Sequence, residues 1–220
     1  MIHMSKNDIH EALDANNLPA VASLAKEDKK VLSQLIRLAY DKETLVGWRA
    51  IKAIGLAARE LVKSDDEFLR VTIRKLLWSL SDESGGIGWS APEIIGEIVS
   101  ADPARFRDII PLIAEVYDIE EKVFRPGILY AMTRIAEVNP GLVLPFIDLA
   151  KKGLCDDAPL VRVNALELTS VLKKILNEKE CDEIRASVKK LLADHSEVWV
   201  YKKDGFVNVE VSEKARLACL

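Results

Sequence analysis

Asp41-Lys42-Glu43-Thr44-Leu45-Val46-Gly47-Trp48-Arg49-Ala50-Ile51-Lys52-Ala53-Ile54-Gly55 decides the fold, because the chain repeats it. The second copy, 41 residues on, is Asp82-Glu83-Ser84-Gly85-Gly86-Ile87-Gly88-Trp89-Ser90-Ala91-Pro92-Glu93-Ile94-Ile95-Gly96. The Asp, the Gly-Trp pair, the Ala and the closing Ile-Gly coincide. Self-similarity at such a period marks helical pairs stacked one on the next, each burying an apolar face that it cannot bury alone.

Working outward, Trp48 and Trp89 align with Phe124 and Val161, at spacings of 41, 35 and 37 residues. Each anchor opens a stretch with small and aliphatic residues on one helix stripe. The stripes are Ala50, Ile51, Ile54 and Ala58; Ala91, Ile94, Ile95 and Ile98; Ile128, Leu129, Met132 and Ile135; and Val163, Leu166, Leu168 and Val171. Partner helices are expected between the anchors, around Val31 to Leu38, Phe68 to Leu80, Phe106 to Val116, Leu142 to Lys152 and Glu180 to Ala193. Asp102-Pro103 and Asn139-Pro140 read as helix starts, since Asp and Asn cap and Pro suits the first turn.

The passage Asp156-Asp157-Ala158-Pro159-Leu160-Val161-Arg162-Val163-Asn164-Ala165-Leu166-Glu167-Leu168 resembles the HEAT-repeat family, including the HEAT-like repeats named after phycobilisome lyases. In that family an Asp in the inter-helix turn and an Arg early in the second helix recur. Here Asp157 goes with Arg162 and Asp41 with Arg49, Asp118 precedes Arg125, and Ser90 breaks the pattern in the second copy. The resemblance spans residues 26–195. It implies an all-α superhelix of four to five helical pairs, a scaffold class with many roles. Residues 1–220 are expected to form a single domain: cap helices in 1–25, repeats in 26–195, and a β-hairpin with a terminal helix in 196–220.

The hairpin reading rests on Val198 to Val211, which alternates with period two and pivots on Asp204-Gly205. Val198, Val200, Val207, Val209 and Val211 share one face, and Trp199, Tyr201 and Phe206 the other. Ser212 to Ala218 reads as the capped start of a final helix. The hairpin can cap the stack, or pair with a second copy through residues 198–211 to give a homodimer.

A net charge of −4 argues against a protein built mainly to hold nucleic-acid backbone. No apolar run approaches the roughly 18 residues that span a bilayer, and residues 1–8 lack a signal-peptide core, so no membrane and a cytoplasmic location are expected. Cys155, Cys181 and Cys219 follow no disulfide or zinc spacing. No cofactor or metal is expected.

The loop before the second anchor is the strongest place for chemistry. Gly85, Gly86 and Gly88 permit close backbone approach, Asp82, Glu83 and Ser84 offer oxygens, and a helix N-terminus follows. It reads either as a small-ligand or metal site, or as plain capping by Asp82 or Ser84. Trp48 and Trp89 read either as core packing or as an aromatic ladder on an inner wall with Arg49 and Arg125. Lys52, Glu93, Arg125, Tyr130, Arg134 and Arg162 are expected on the concave side, the arginines either facing a partner or pairing with turn aspartates.

Three functions remain open from these residues. The leading one is a non-enzymatic scaffold or adaptor whose concave face holds a protein or peptide, anchored by Trp48, Trp89 and Tyr130. The second is regulation through ligand binding at Asp82 to Gly88. The third is an enzyme resembling the HEAT-like alkylpurine DNA glycosylases, with Trp89, Asp82 and Arg125 in suggestive places, against which the acidic charge weighs. Repeated His-Glu pairs, which a HEAT-like di-iron hydroxylase uses, do not occur; His10-Glu11 appears once.

Overall fold

Thr44 shows how the repeated phrase folds. Its backbone is extended, its Oγ1 accepts from the Gly47 amide at 3.1 Å, and its hydroxyl donates to the Asp41 carbonyl at 2.9 Å. That is an N-cap, and it satisfies a donor the first turn would leave free. Asp41 turns the chain and Thr44 starts the helix. Gly47 is required because a Cβ there would stand 1.9 Å from the Asp41 carbonyl oxygen.

The structure, a computed structural model, describes residues 6–80, 88–119 and 122–218. Among these the elements are helical except for one two-stranded hairpin. The chain divides into two compact units, residues 1–102 with Lys203–Gly205, and Pro103–Lys202 with Phe206–Leu220. The first contains α1 (Lys6–Asp14), α2 (Leu18–Glu27), α3 (Lys30–Leu38), α4 (Leu45–Leu61), α5 (Asp66–Leu80), a 3-10 turn (Gly88–Ser90) and α6 (Ala91–Val99). In it α4 packs on α2, α3 and α6, and α5 packs on α6.

The second unit contains α7 (Ile110–Ile119), a 3-10 turn (Lys122–Phe124), α8 (Arg125–Val138), α9 (Pro140–Val143), α10 (Ile147–Leu154), α11 (Pro159–Leu172), α12 (Glu178–Lys190), β1 (Glu197–Lys202), β2 (Gly205–Glu210) and α13 (Val211–Ala218). Here α11 is central, packing on α8, α10 and α13.

The stripes read from the sequence form the core. Ala50, Ile51, Ile54 and Ala58, Ala91 to Ile98, and Ile128 to Ile135 are fully buried at the positions quoted, as are Leu166 and Leu168; Val171 is half-buried. Each buried Ile or Leu stabilises by about 1.5–3 kcal/mol, against about 0–1 kcal/mol for an exposed ion pair. Apolar stripes therefore hold each unit together.

Proline moves one expected helix start and breaks the helix that follows another, which begins at Pro140 as expected. No α-helix begins at Pro103; α7 begins at Ile110, because a helix running from Pro103 would carry Pro111 in its interior, where the ring clashes and the N–H is missing. The segment 140–154 is likewise broken, into α9, a 3-10 turn Leu144–Phe146 and α10, at Pro145.

The hairpin turns one residue earlier than expected, on Lys203 and Asp204, with Lys203 in the left-handed region at φ 54°. The facing survives, since moving the turn by one residue shifts the pairing sum by two. Tyr201 and Phe206 meet edge-to-face at 6.1 Å, and Asn208 donates to Glu197 at 2.7 Å. Val198 and Val200 are half-buried and β1 packs on α11, while Trp199 is exposed. Val211 opens the final helix, and Ser212, expected as its cap, is buried and hydrogen-bonded to the Glu210 carboxylate.

Candidate functional site

Helix α6 is buried along its whole length, yet carries two acids among Ile94, Ile95, Gly96, Ile98 and Val99. Glu93 is 3% exposed and Glu97 2%. Their spacing of four puts them on one face. A buried carboxylate is costly without a cation, and α4 with the turn before it provides two. Lys52 on α4 lies 2.7 Å from Glu97 Oε1, and Lys42 lies 2.9 Å from Glu93 Oε1. Gly55, the closing glycine of the first copy, leaves room for Glu97, because a Cβ there would stand 2.4 Å from Glu97 Oε2.

The Lys42 ammonium also donates to the Trp89 carbonyl at 2.8 Å, so one lysine gathers Trp89 and Glu93. The pairing is incomplete: Glu93 Oε2 is buried and accepts no hydrogen bond among the described residues. Trp89 itself is 49% exposed. A half-exposed Trp89, a buried carboxylate with an unmet oxygen, and a lysine bonded to the Trp89 backbone carbonyl and to Glu93 meet at the start of α6.

The other expected residues fall elsewhere. Asp82, Glu83, Ser84, Gly85 and Gly86 lie outside the described residues. Trp48 and Arg49 are half-buried. Arg49 does not join Asp41: it donates to the carbonyls of Leu13 at 3.1 Å and Asp14 at 2.9 Å, at the end of α1, where a cation meets the negative helix terminus. The Asp41 carboxylate accepts from the Glu43 amide at 3.3 Å. Ser90, which stands where the first copy has Arg49, opens no space. It is fully buried and donates to the Ala39 carbonyl at 2.6 Å, closing the end of α3.

In the second unit Arg125 pairs with Asp156 at 2.8 Å and lies over the Tyr117 ring at 5.1 Å. Burial, reinforced by the Asp156 charge, pushes the Tyr117 hydroxyl up to about 12. Arg162 shows what the recurring early arginine does. It donates to the carbonyls of Asp156 and Asp157 at 2.7 and 2.8 Å, and its Nε to the Asp194 carboxylate at 2.7 Å. Arg134 pairs with Glu137, and Tyr130 is half-buried.

Burial works to raise the Asp194 carboxyl, but bonds from Ser196 and Arg162 hold it below its ordinary value. A carboxylate lowered on folding contributes stability above the unfolded pKa and loses it as pH falls. Asp194→Asn is therefore expected to be less stable at neutral pH and to show a shallower fall in stability below about pH 4. Urea midpoints across pH 2.5 to 7 check this; an unchanged acid limb refutes it.

His195, Glu210 and Ser212 are adjacent, but in the wrong order for nucleophilic catalysis. Glu210 sits between the other two, at 2.7 Å from His195 Nδ1, and Ser212 has no access to solvent. Among the described residues no group of three or more His, Cys, Asp or Glu is placed to hold a metal ion, and no helix is long and apolar enough to cross a membrane.

Two signals were missed in the sequence. Lys42 reads as ordinary in the first copy, although an acid pair inside an otherwise apolar helix demands cations from somewhere. Trp78 on α5 is 69% exposed and Trp199 67%, so two of the four tryptophans stand largely in solvent and Trp89 is half exposed.

No protein-family model and no curated protein matches the chain. Solved structures do. A designed armadillo repeat protein in complex with peptide (KR)4 is similar at 17% identity, covering 97% of this chain and 92% of that one, with a TM-score of 0.56. A second designed armadillo repeat protein matches at 17% identity over 99% and 94%, with a TM-score of 0.54. A HEAT-like repeats protein from Thermococcus onnurineus NA1 covers 100% and 97% at 16% identity, with a TM-score of 0.39, too low to support any inference. The chain has a helical repeat fold of the HEAT and armadillo kind.

Proposed function

We propose that this protein is a non-enzymatic scaffold that holds a protein or peptide partner, and that Trp89 is an anchor of the binding face in the first unit. The observation that carries this reading is the half-exposed Trp89, whose backbone carbonyl shares Lys42 with the incompletely paired Glu93. Exposed aromatic anchors next to buried polar groups are what interfaces use. The fold adds plausibility of kind: one designed armadillo protein of similar architecture is held with a peptide.

The test is selection of a random dodecapeptide library against the full chain, followed by titration of the selected peptides against Trp89→Ala. Trp→Ala at an anchor is expected to weaken binding by roughly 2 kcal/mol or more, about thirtyfold. About half of Trp89 is exposed, so its removal should lower the melting temperature far less than the loss of a core side chain. A library that yields no peptide sensitive to Trp89→Ala refutes the reading.

A further inference from the structure

The buried oxygen of Glu93 says more about the partner's chemistry. Glu93 is 3% exposed, and its carboxylate has one oxygen met by Lys42 and one, Oε2, met by nothing among the described residues. Leaving a buried acceptor unmet is costly. Lys42 does not complete the pairing: its ammonium lies on Glu93 Oε1 and the Trp89 carbonyl and leaves Oε2 unmet. A guanidinium can, since its planar fork presents two parallel N–H donors to both oxygens of a carboxylate.

We infer that Glu93 is the seat for an arginine side chain of the partner, with Lys42 as the internal cation it displaces and Trp89 as the surface it stacks on. This rests on the peptide-binding reading. Lys42 is suited to leave. Its side chain is 26% exposed and comes from the turn between α3 and α4, so it can swing into water while Glu93 remains buried. The Trp89 side chain is half exposed, its backbone carbonyl shares the Lys42 ammonium with Glu93, and a guanidinium stacks on Trp better than on any other ring. The chain's net charge of −4 favours a cationic partner at longer range.

The arrangement sorts ligands. A lysine brings the same compact ammonium that Lys42 already supplies, without the planar fork that matches both carboxylate oxygens. Citrulline has the shape of arginine without the charge and cannot replace a cation beside a buried carboxylate. Arginine alone improves on what is already there.

The experiment uses the full chain and three acetylated octapeptides that alternate glycine with arginine, lysine or citrulline, titrated by calorimetry. The arginine peptide is expected to bind about tenfold more tightly than the lysine peptide, with no detectable citrulline binding. Glu93→Gln should lose the arginine preference. Lys42→Met should bind the arginine peptide more tightly than the native chain does. Because Lys42→Met leaves a buried charge without its cation, the peptide should also raise the melting temperature of that variant more than that of the native chain, a rescue that mere misfolding does not produce. Equal binding of the three peptides, or an arginine preference that survives Glu93→Gln, overturns the assignment. If none of the octapeptides binds while the random library yields Trp89-dependent peptides, the arginine assignment falls and the scaffold reading stands. A library without such peptides removes both.

Discussion

Lys52→Met is expected to destabilise the protein by about 3–5 kcal/mol, because it leaves Glu97 buried and charged without the ammonium now 2.7 Å away. Glu97 is 2% exposed, so water cannot take the place of the lost cation. The size of the effect says nothing about what the ion pair itself contributes. A buried pair replaced by apolar side chains of similar volume is often neutral or better. The double variant Lys52→Met with Glu97→Leu should therefore regain most of the loss, and comparing it with the two single variants measures the coupling. Urea denaturation followed by circular dichroism gives all three. A single variant within about 1 kcal/mol of the native chain would mean that Glu97 is neutral or solvated.

Gly47→Ala is the second large effect, and here two principles disagree in sign. Helix propensity favours alanine over glycine by up to about 1 kcal/mol inside a helix. Geometry opposes it, since the new Cβ would fall 1.9 Å from the Asp41 carbonyl oxygen and 2.7 Å from its carbon. Both are backbone atoms, so no rotamer change relieves the overlap. Overpacking of this kind costs up to about 3 kcal/mol, leaving a net loss of about 2 kcal/mol. For a chain of this length that corresponds to a fall in melting temperature of roughly 4–8 °C. A rise would show that the turn yields easily. The same turn carries Lys42, so the variant should also weaken any function that depends on the Glu93 seat.

These cases show how far the sequence could be read. The apolar stripes were legible because a period near 3.6 survives any detail of packing: Ala50 to Ala58, Ala91 to Ile98 and Ile128 to Ile135 are buried as their spacing implies. Helix extents were less legible, because a later proline can override a local preference: Pro111 keeps an α-helix from running from Pro103, and Pro145 breaks the one that Asn139-Pro140 does start. Ion pairing was the least legible. The family pattern pairs an early arginine with a turn aspartate, yet Arg49 reaches the carbonyls at the end of α1 and Arg162 grips turn carbonyls together with a distant Asp194. Guanidinium groups find acceptors in three dimensions, and neighbouring numbers do not record which acceptors those are. Trp89 and Glu93 were picked out, but not their shared lysine, since Lys42 comes to them from another repeat.

The exposure of Trp78, Trp89 and Trp199 has a spectroscopic consequence. Indoles already in water emit much as they do in the unfolded chain, so unfolding should shift the intrinsic fluorescence only slightly. Trp48, the most buried of the four, has the most to report about the interior. What these rings will register is dehydration at the surface: a blue shift at constant helicity would signal a partner settling onto the folded chain.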